Sequence, residues 1–377
     1  MAEIQGTVDP GYEAVRDALA GNLDSGADVG ASVAVIVDGR TVVDIWGGHQ
    51  DEARTEPWQQ DTIINVWSTT KTMAALCVLL LADRGELDLH APVAQYWPEF
   101  KANGKEGVEV RHLLSHSAGL SGWQEPMQPE DLYDWEKVTS LLAAQEPWWE
   151  PGTANGYHAV TQGYLVGEVV RRITGESIGT FFAGEIAEPL GADFHIGTAQ
   201  EHDARVARVI PPPPLPTEGL DPTSVAVRTL LNPPLSAEQS WEADWRRSEI
   251  PAAGGHGNAR SVAKVQSVLA CGGEVNGVRL LSEAGCEAVL EEVSYTPDLV
   301  LGVPLRFGMG YGLNSPDTPL GPNPRTCFWG GWGGSLILVD LDARMVVAYV
   351  MNKMGEGTLG DFRGVGIAFA AYTSLGG

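Results

Sequence analysis

The sequence predicts an α/β domain combined with a second, mainly helical all-α domain. Two observations lead to this prediction: strand-like runs occur near both ends of the 377-residue chain, and helical periodicity dominates between them. Strands drawn from both ends can share one sheet, so we expect a discontinuous α/β domain of residues 1–90 and 300–377. Residues 91–299 are expected to form the helical domain inserted into it.

Local patterns support each element in turn. An amphipathic pattern predicts a first helix, and two β-rich runs around a turn predict a hairpin. The apolar run Met73–Ala82 predicts a buried helix that ends at Arg84-Gly85. In order, the predicted elements are a helix over 9–22, strands over 31–37 and 41–46 joined by Asp38-Gly39-Arg40, a helix over 68–84, strands over 325–329, 335–340 and 345–351, and a helix over 361–375.

Prolines cluster in residues 211–234, which include the run Pro211–Pro214. Such a segment is expected to be an irregular, semi-rigid loop. Two interpretations remain open for it: a connector on the surface, or a wall over a substrate site.

Composition excludes several classes of function. The chain has 24 Lys and Arg against 49 Asp and Glu, which gives a formal net charge of −25. Nucleic acids and anionic lipids both attract clustered positive charge, so we expect neither a nucleic acid nor a membrane as a partner. The longest apolar run has ten residues, whereas a membrane span needs about 20.

Cysteine usage and the N-terminal sequence bear on the compartment. The four cysteines show no CxxC or Cys/His spacing, so neither a disulfide scaffold nor a structural zinc site is expected. The first residues lack the basic start and apolar core of a signal peptide. We therefore expect a cytoplasmic protein that needs no metal and no cofactor.

Two SxxK motifs are the candidates for a nucleophile, since no GxSxG pentapeptide occurs. Residues three apart share a helix face, so each lysine can reach its serine and accept its proton if burial lowers the lysine pKa. Ser68 and Lys71 open the predicted buried helix, where the amine is desolvated and helix N–H groups favour an oxyanion. Ser261 and Lys264 open a helix with one apolar stripe, a pattern typical of an N-cap serine and an exposed lysine.

Further segments resemble motifs of the serine β-lactamase-like superfamily, in the same order along the chain. They are Arg111-His112-Leu113-Leu114-Ser115-His116-Ser117-Ala118-Gly119-Leu120, Glu150-Pro151-Gly152-Thr153-Ala154-Asn155-Gly156-Tyr157 with Gly163-Tyr164 and Gly167, Glu188-Pro189-Leu190-Gly191-Ala192, and Trp329-Gly330-Gly331-Trp332-Gly333-Gly334-Ser335. Within this superfamily the chain most resembles the family VIII carboxylesterases, which share the class C β-lactamase fold. The resemblance implies a β-lactamase/transpeptidase-like fold, an antiparallel sheet flanked by helices with an inserted helical domain.

The resemblance also implies roles for individual residues. Ser68 would be the nucleophile, and Lys71 with Tyr157 would act as the general base. The backbone N–H groups of Ser68 and Trp332 would form the oxyanion hole.

The chain departs from the superfamily motifs at two places that bear on the substrate. Ala159 stands where the tyrosine motif has Asn, and Trp329-Gly330-Gly331 stands where related enzymes have KTG or HxG. The cation that would meet a β-lactam carboxylate is therefore missing, and WGG is the form found in esterases of the family. We expect Trp329, Gly330 and Gly331 to contact substrate in an apolar, tryptophan-rich cleft for uncharged esters with short acyl chains or aromatic parts.

Four histidines have open roles. His158 follows the candidate base directly and His256 lies in a glycine-rich loop, so each could border the substrate, although a structural role is the simpler interpretation for His158. His112 and His116 are four residues apart, but no third metal ligand lies nearby in sequence, so a metal site is not expected.

The sequence thus predicts a serine hydrolase that cleaves a small-molecule carboxylic ester through an acyl-enzyme. Alternatives are a β-lactamase, a D-amino-acid peptidase or an acyltransferase of the same fold, and a non-catalytic penicillin-binding protein. The oligomeric state is left open by the sequence.

Overall fold

The computed structural model describes residues 2–214 and 219–375. Its strands are β1 (Ile4–Val8), β2 (Gly30–Val37), β3 (Arg40–Gly48), β4 (Ile64–Asn65), β5 (Phe194–His195), β6 (His256–Gly257), β7 (Glu274–Val275), β8 (Val278–Arg279), β9 (Ser294–Pro297), β10 (Pro304–Phe307), β11 (Gly312–Leu313), β12 (Thr326–Gly330), β13 (Leu336–Asp340) and β14 (Met345–Met351).

Helices make up most of the middle of the chain. They are α1 (Glu13–Asp24), α2 (Thr70–Asp83), α3 (Val110–Leu114), α4 (Trp135–Ala144), α5 (Thr161–Thr174), α6 (Ile178–Phe182), α7 (Glu188–Leu190), α8 (Val225–Leu230), α9 (Ala243–Arg247), α10 (Ala259–Ala270), α11 (Glu283–Glu287) and α12 (Phe362–Leu375). No helix in the described ranges is long and apolar enough to cross a membrane.

A nine-stranded antiparallel sheet organises the molecule, in the order β1-β3-β2-β14-β13-β12-β11-β10-β9. Every residue of β13 and β14 is buried, because α1 and α12 pack together against the sheet while α10 lies against the same central strands. Strands covered on both faces are apolar throughout, which explains the uninterrupted apolar runs in the sequence. The sheet joins the two ends of the chain, as the strand pattern predicted.

The predicted hairpin is confirmed as β2 and β3. Val37 pairs with Arg40, so the turn contains only Asp38 and Gly39, both with positive φ, 49° and 75°. Two left-handed residues are what a two-residue turn between twisted strands requires, and glycine tolerates this conformation best. Arg40 therefore begins the strand instead of belonging to the turn.

Several elements that build the sheet were not predicted. Strand β1 pairs with β3 along the edge, but its residues are at most half-buried, so it has no apolar alternation that a sequence pattern would reveal. The division of the chain also differs from the predicted boundary at residue 299. Helix α10 packs on β2, β13 and β14, and β9 is the last strand of the sheet, so both lie with the sheet and not with the inserted helices. Their local periodicity could not reveal which part of the molecule they contact.

Candidate active site

Ser68 lies at the start of the buried helix α2. It belongs to a single 3₁₀ turn, Trp67–Thr69, that leads directly into α2. Trp67 adopts a left-handed backbone conformation with φ 50°, which is uncommon for a non-glycine residue and is found at functional sites. Thr70 fixes this turn, because its hydroxyl donates to the Trp67 carbonyl at 2.5 Å and accepts the Gly255 N–H at 2.9 Å.

Lys71 is buried one helical turn after Ser68, with its amine surrounded by acceptors. Its Nζ lies 2.7 Å from the Ala159 carbonyl oxygen and 3.0 Å from that of Ala252. It also lies 3.1 Å from Ser68 Oγ and 3.0 Å from the Tyr157 hydroxyl. Burial lowers the pKa of Lys71 well below its usual value, because an ammonium ion loses its hydration there. A neutral amine has two N–H groups, which the two carbonyls accept, and a lone pair left to face the two hydroxyls.

Tyr157 completes this hydrogen-bonded group. Its hydroxyl is hydrogen-bonded to Ser68 Oγ as well as to Lys71, and the lysine Nζ lies 4.8 Å from the tyrosine ring centre. Burial raises the pKa of Tyr157, and the bond from Ser68 only partly offsets this. The Ser68 hydroxyl, the Tyr157 hydroxyl and the Lys71 amine are thus in mutual hydrogen-bond contact, and burial favours the neutral forms of the phenol and the amine.

The backbone of Gly331, the residue before Trp332, packs against the turn that contains Ser68. A Cβ added to Gly331 would lie 2.4 Å from the Val66 carbonyl oxygen and 3.4 Å from the Ser68 nitrogen, so only glycine permits this approach. Ser335 fastens the same contact, because its hydroxyl donates to the Val66 carbonyl at 2.9 Å. The Trp332 N–H has no acceptor within the described part of the chain. The backbone of Gly331 thus lies against the backbone of Ser68, with the Trp332 N–H next to it in sequence.

Ser68 opens onto an apolar cleft of about 140 Å³. Most of its walls are formed by large apolar side chains: Trp67, Val160, Leu230, Leu231, Leu235 and Trp332. The remaining lining residues are Ser, Tyr, Ala, Thr and Pro, so none carries a formal charge. A larger and more open groove of about 600 Å³ lies around His90 and does not contain Ser68.

The proline-rich segment supplies one wall of this cleft. Leu230 and Leu231 lie within residues 211–234 and Leu235 follows directly, which agrees with the second of the two interpretations of this segment. Of this segment, residues 215–218 lie outside the described residues. The prolines predicted an irregular segment, but Val225–Leu230 forms the helix α8, and only the folded chain brings these leucines opposite Ser68.

None of the five residues predicted to contact substrate lines the cleft: Trp329, Gly330, Gly331, His158 and His256. Trp329 is buried and stacks on the His116 ring at 5.6 Å between centres. Its neighbour Gly330 packs against the backbone of Leu359. Successive side chains of a strand point to opposite faces, so neighbouring positions in a motif need not face the same cavity.

His158 and His256 are structural in this arrangement. His158 Nε2 accepts the Leu120 N–H at 3.1 Å, and its Nδ1 lies 2.6 Å from the Gly156 carbonyl. His256 is buried in β6 with its Nδ1 3.0 Å from the Gly254 carbonyl. The interpretation of these two rings as the border of the substrate site is therefore corrected: both support the backbone around the site.

His112 and His116 are also used by the backbone. His112 Nδ1 accepts the Glu109 N–H at 3.1 Å, and His116 Nδ1 accepts the His158 N–H at 3.0 Å. Within residues 2–214 and 219–375, no group of three or more His, Cys, Asp or Glu side chains is placed to hold a metal ion.

The second SxxK motif lies apart from this cleft. Asn258 is the N-cap of α10, and Ser261 sits three residues later, where its hydroxyl donates to the Asn258 carbonyl at 2.8 Å and accepts the Asn258 N–H at 3.0 Å. Lys264 donates to the Gly191 carbonyl at 3.0 Å. Ser261 does take part in helix capping, as predicted, but it is the third helical residue of a capping box and not the N-cap, which is Asn258. Lys264 is half-buried, not exposed.

Three groups that shape the site carry no recognisable sequence signal. The carbonyls of Ala159 and Ala252 hold the Lys71 amine, and any residue type could supply them. Asp298 accepts the Tyr157 N–H at 3.0 Å from 141 residues away, which no local pattern reveals.

Comparison with known proteins shows the family to which the chain belongs. A model of the Beta-lactamase family matches residues 15–372. The chain belongs to the beta-lactamase family. This confirms the resemblance drawn from the sequence motifs, and the antiparallel sheet with flanking helices confirms the predicted fold class.

Individual relatives cover nearly the whole chain. The structure of a family VIII carboxylesterase is 44% identical and superposes with a TM-score of 0.93, covering 99% of this chain and 100% of that one. A penicillin-binding protein homologue from Caulobacter crescentus is 38% identical, with a TM-score of 0.91 over 99% of this chain and 100% of its own. A protein named esterase/beta-lactamase LipL, from Mycobacterium tuberculosis, is 35% identical over 93% of this chain and 83% of its own length.

Proposed function

We propose that the protein is a serine carboxylesterase that cleaves uncharged esters through an acyl-enzyme on Ser68. The observation that carries this proposal is the mutual hydrogen bonding of Ser68, Lys71 and Tyr157 at the base of an apolar cleft. A hydroxyl in contact with an unprotonated amine and a phenol is an activated nucleophile. The names of two of the similar proteins, a family VIII carboxylesterase and an esterase/beta-lactamase, support the same chemistry.

Acylation follows from the proton positions. The Ser68 hydroxyl passes its proton to the Lys71 amine, directly or through the Tyr157 hydroxyl, while Oγ attacks the ester carbonyl. The oxyanion that forms accepts hydrogen bonds from the backbone N–H groups of Ser68 and Trp332. As the tetrahedral intermediate collapses, Tyr157 protonates the departing alcohol and regains a proton from the Lys71 ammonium. Amine and phenol are thereby restored, and the acyl group remains on Ser68.

Deacylation uses the same groups in reverse. A water molecule gives its proton to the Lys71–Tyr157 pair and attacks the acyl carbonyl. The second oxyanion rests on the same two N–H groups. Ser68 Oγ then leaves and takes the proton back, which frees the carboxylic acid.

The cleft favours small uncharged substrates. Its volume of about 140 Å³ is similar to that of an engineered apolar cavity of roughly 150 Å³ that holds benzene. A short acyl chain or one aromatic ring therefore fits. A carboxylate on the substrate would find no cation among the lining residues, and loss of a charge-assisted hydrogen bond costs about 1.5–3 kcal/mol, or roughly 10- to 150-fold in binding.

The test compares an ester with a β-lactam. We expect kcat/KM for p-nitrophenyl acetate to exceed that for nitrocefin by about 10²-fold or more. Nitrocefin carries a carboxylate that finds no cation in this cleft, and Ala159 cannot make the polar contact that an Asn at this position of the motif would make. Slow nitrocefin turnover agrees with the proposal, because ester and β-lactam hydrolysis would use the same nucleophile and the same oxyanion-binding N–H groups. Equal efficiencies on both compounds would replace it with the β-lactamase alternative, and failure of a fluorophosphonate to label Ser68 would favour a non-catalytic penicillin-binding protein.

We also propose a reducing compartment such as the cytoplasm. All four cysteines are buried free thiols: Cys77, Cys271, Cys286 and Cys327. Disulfides are rare in such compartments, so activity should be unchanged by dithiothreitol. Loss of activity on reduction would contradict this location.

A further inference from the structure

Asp298 is a buried carboxylate next to the backbone of Tyr157. It follows β9 in the connection to β10 and is 2% exposed. Its Oδ1 accepts the N–H groups of Tyr157 at 3.0 Å and of Val300 and Leu301 at 2.9 Å each. Its Oδ2 accepts the side-chain amide of Asn155 at 2.8 Å. All four partners are donors.

Only a carboxylate satisfies this set of donors. An asparagine in the same place would offer one oxygen to the three backbone N–H groups, and its NH₂ would face the NH₂ of Asn155. Asp298 forms no salt bridge within the described residues. A buried negative charge is costly unless it is neutralised or fully hydrogen-bonded, and here the four N–H groups alone compensate for its burial.

The same connection fastens the tyrosine loop to the edge of the sheet. Asn155 Oδ1 accepts the N–H and the hydroxyl of Thr296, and the Asn155 carbonyl accepts the Leu299 N–H at 2.9 Å. Tyr157 is therefore held from two sides. Its backbone is bound by the edge of the nine-stranded sheet, and its hydroxyl by Lys71 and Ser68 on and before α2.

Asp298 is also the charged group that faces Tyr157. The other titratable side chains in contact with the tyrosine are Lys71 and His116, whose ring centre lies 5.1 Å from the tyrosine ring. Burial lowers the pKa of both well below their usual values, which favours their neutral forms. His158, the next residue, is neutral as well, since burial lowers its pKa to about 3. After burial itself, the negative charge of Asp298 is the influence that raises the pKa of Tyr157 further.

We propose that Asp298 is a positioning residue that fixes the Tyr157 backbone against the sheet and so keeps the tyrosine hydroxyl aimed at Ser68 and Lys71. This inference rests on the proposed function, because it assigns Tyr157 the task of giving a proton to the leaving alcohol. Asp298 touches neither substrate nor reacting atoms and acts only through Tyr157.

The test uses an exchange of the two side chains. Asp298→Asn sets two NH₂ groups against each other and removes the charge. The double variant Asn155→Asp/Asp298→Asn restores every hydrogen bond: the new amide oxygen accepts the three backbone N–H groups, its NH₂ donates to the new carboxylate, and that carboxylate still accepts from Thr296. The double variant therefore keeps all of these hydrogen bonds and the negative charge, which moves from position 298 to position 155. Thr296→Val is the control that loosens the same loop without changing its charge.

The measurement is kcat and KM for phenyl acetate, whose leaving group needs protonation more than p-nitrophenolate does. We expect Asp298→Asn to lower kcat about tenfold or more with KM within about threefold. The double variant should recover the kcat of the wild type. Thr296→Val should lower kcat less than Asp298→Asn does, because it leaves the four donors around Asp298 in place.

Several results would overturn the inference. A wild-type kcat in Asp298→Asn would do so, and so would a folded double variant that stays as slow as Asp298→Asn. If Asp298→Asn does not fold, the double variant alone decides, since it must be both folded and active. Failure of the proposed function is a separate outcome, in which the wild-type protein hydrolyses no ester and a fluorophosphonate does not label Ser68.

Discussion

Replacing the serine of each SxxK motif by alanine should separate catalysis from stability. Ser68→Ala removes the nucleophile, so kcat should fall on the order of 10⁴-fold or more. The fold should lose little. The hydroxyl makes no helix-capping bond, and its partners, Lys71 and Tyr157, remain bonded to each other at 3.0 Å.

Ser261→Ala should have the opposite effect. The hydroxyl is buried and bridges the N–H and the carbonyl of Asn258, so its loss leaves a buried donor without a partner. Removal of such a cap costs about 1–2 kcal/mol. In a chain of 377 residues, unfolding entropy is about 0.8 kcal/mol per kelvin, so the Tm should fall by about 2 °C. Ester hydrolysis should stay within about twofold of the wild type.

The assay is p-nitrophenyl acetate hydrolysis together with thermal unfolding followed by circular dichroism. Fluorophosphonate labelling should be lost in Ser68→Ala and retained in Ser261→Ala. If Ser261→Ala is inactive and Ser68→Ala is not, the nucleophile has been assigned to the wrong motif. If Ser68→Ala lowers the Tm by 10 °C or more, its loss of activity cannot be separated from unfolding, and the reasoning on its hydrogen bonds is refuted.

Three further predictions concern proton transfer and protonation. Lys71→Met and Tyr157→Phe should each lower kcat about 10²-fold or more, and the double variant should be little worse because both act in one relay; multiplied losses would show independent roles. Wild-type kcat should rise with pH as Lys71 loses its proton, and a maximum near pH 5 would contradict an amine base. Stability should fall with acid, because burial holds the pKa of His158 and His256 at about 3 and that of His116 well below its usual value. The unfolded chain binds these protons near pH 6.5 and the folded chain does not, so the free energy of unfolding should drop by about 4 kcal/mol per pH unit below pH 6; urea midpoints that are equal at pH 7 and pH 5 would refute this.

The order and spacing of the sequence motifs allowed most of the candidate site to be predicted. The spacing of Ser68 and Lys71 was informative because a helix fixes which side chains share a face, and the apolar run after them predicted the burial that lowers the lysine pKa. Tyr157 was reached only through resemblance. Nothing in its own neighbourhood shows that it meets Ser68 from 89 residues away.

Motif membership did not predict side-chain direction. Trp329 and Trp332 lie in one glycine-rich stretch, but the first indole is buried against His116 and the second lines the cleft. The buried position also changes what a substitution would do. A lysine at position 329 would place a cation in an aromatic cluster instead of opposite a substrate carboxylate, so it should destabilise the protein and not convert its specificity.

The sequence by itself predicted the helices α1, α2 and α12, the central strands and the candidate nucleophile, because each depends on periodicity or on residues close in the chain. The tertiary structure decided everything that depends on contacts between distant segments. It placed the carbonyls of Ala159 and Ala252 around Lys71, the leucines of residues 229–235 opposite Ser68, and Asp298 beneath Tyr157. Backbone carbonyls carry no residue signature, and the leucines lie at the end of a short helix and in the loop after it, where no single period marks them. A buried carboxylate among N–H donors looks, in sequence, like any other loop aspartate, and only its surroundings in the folded chain give it a role.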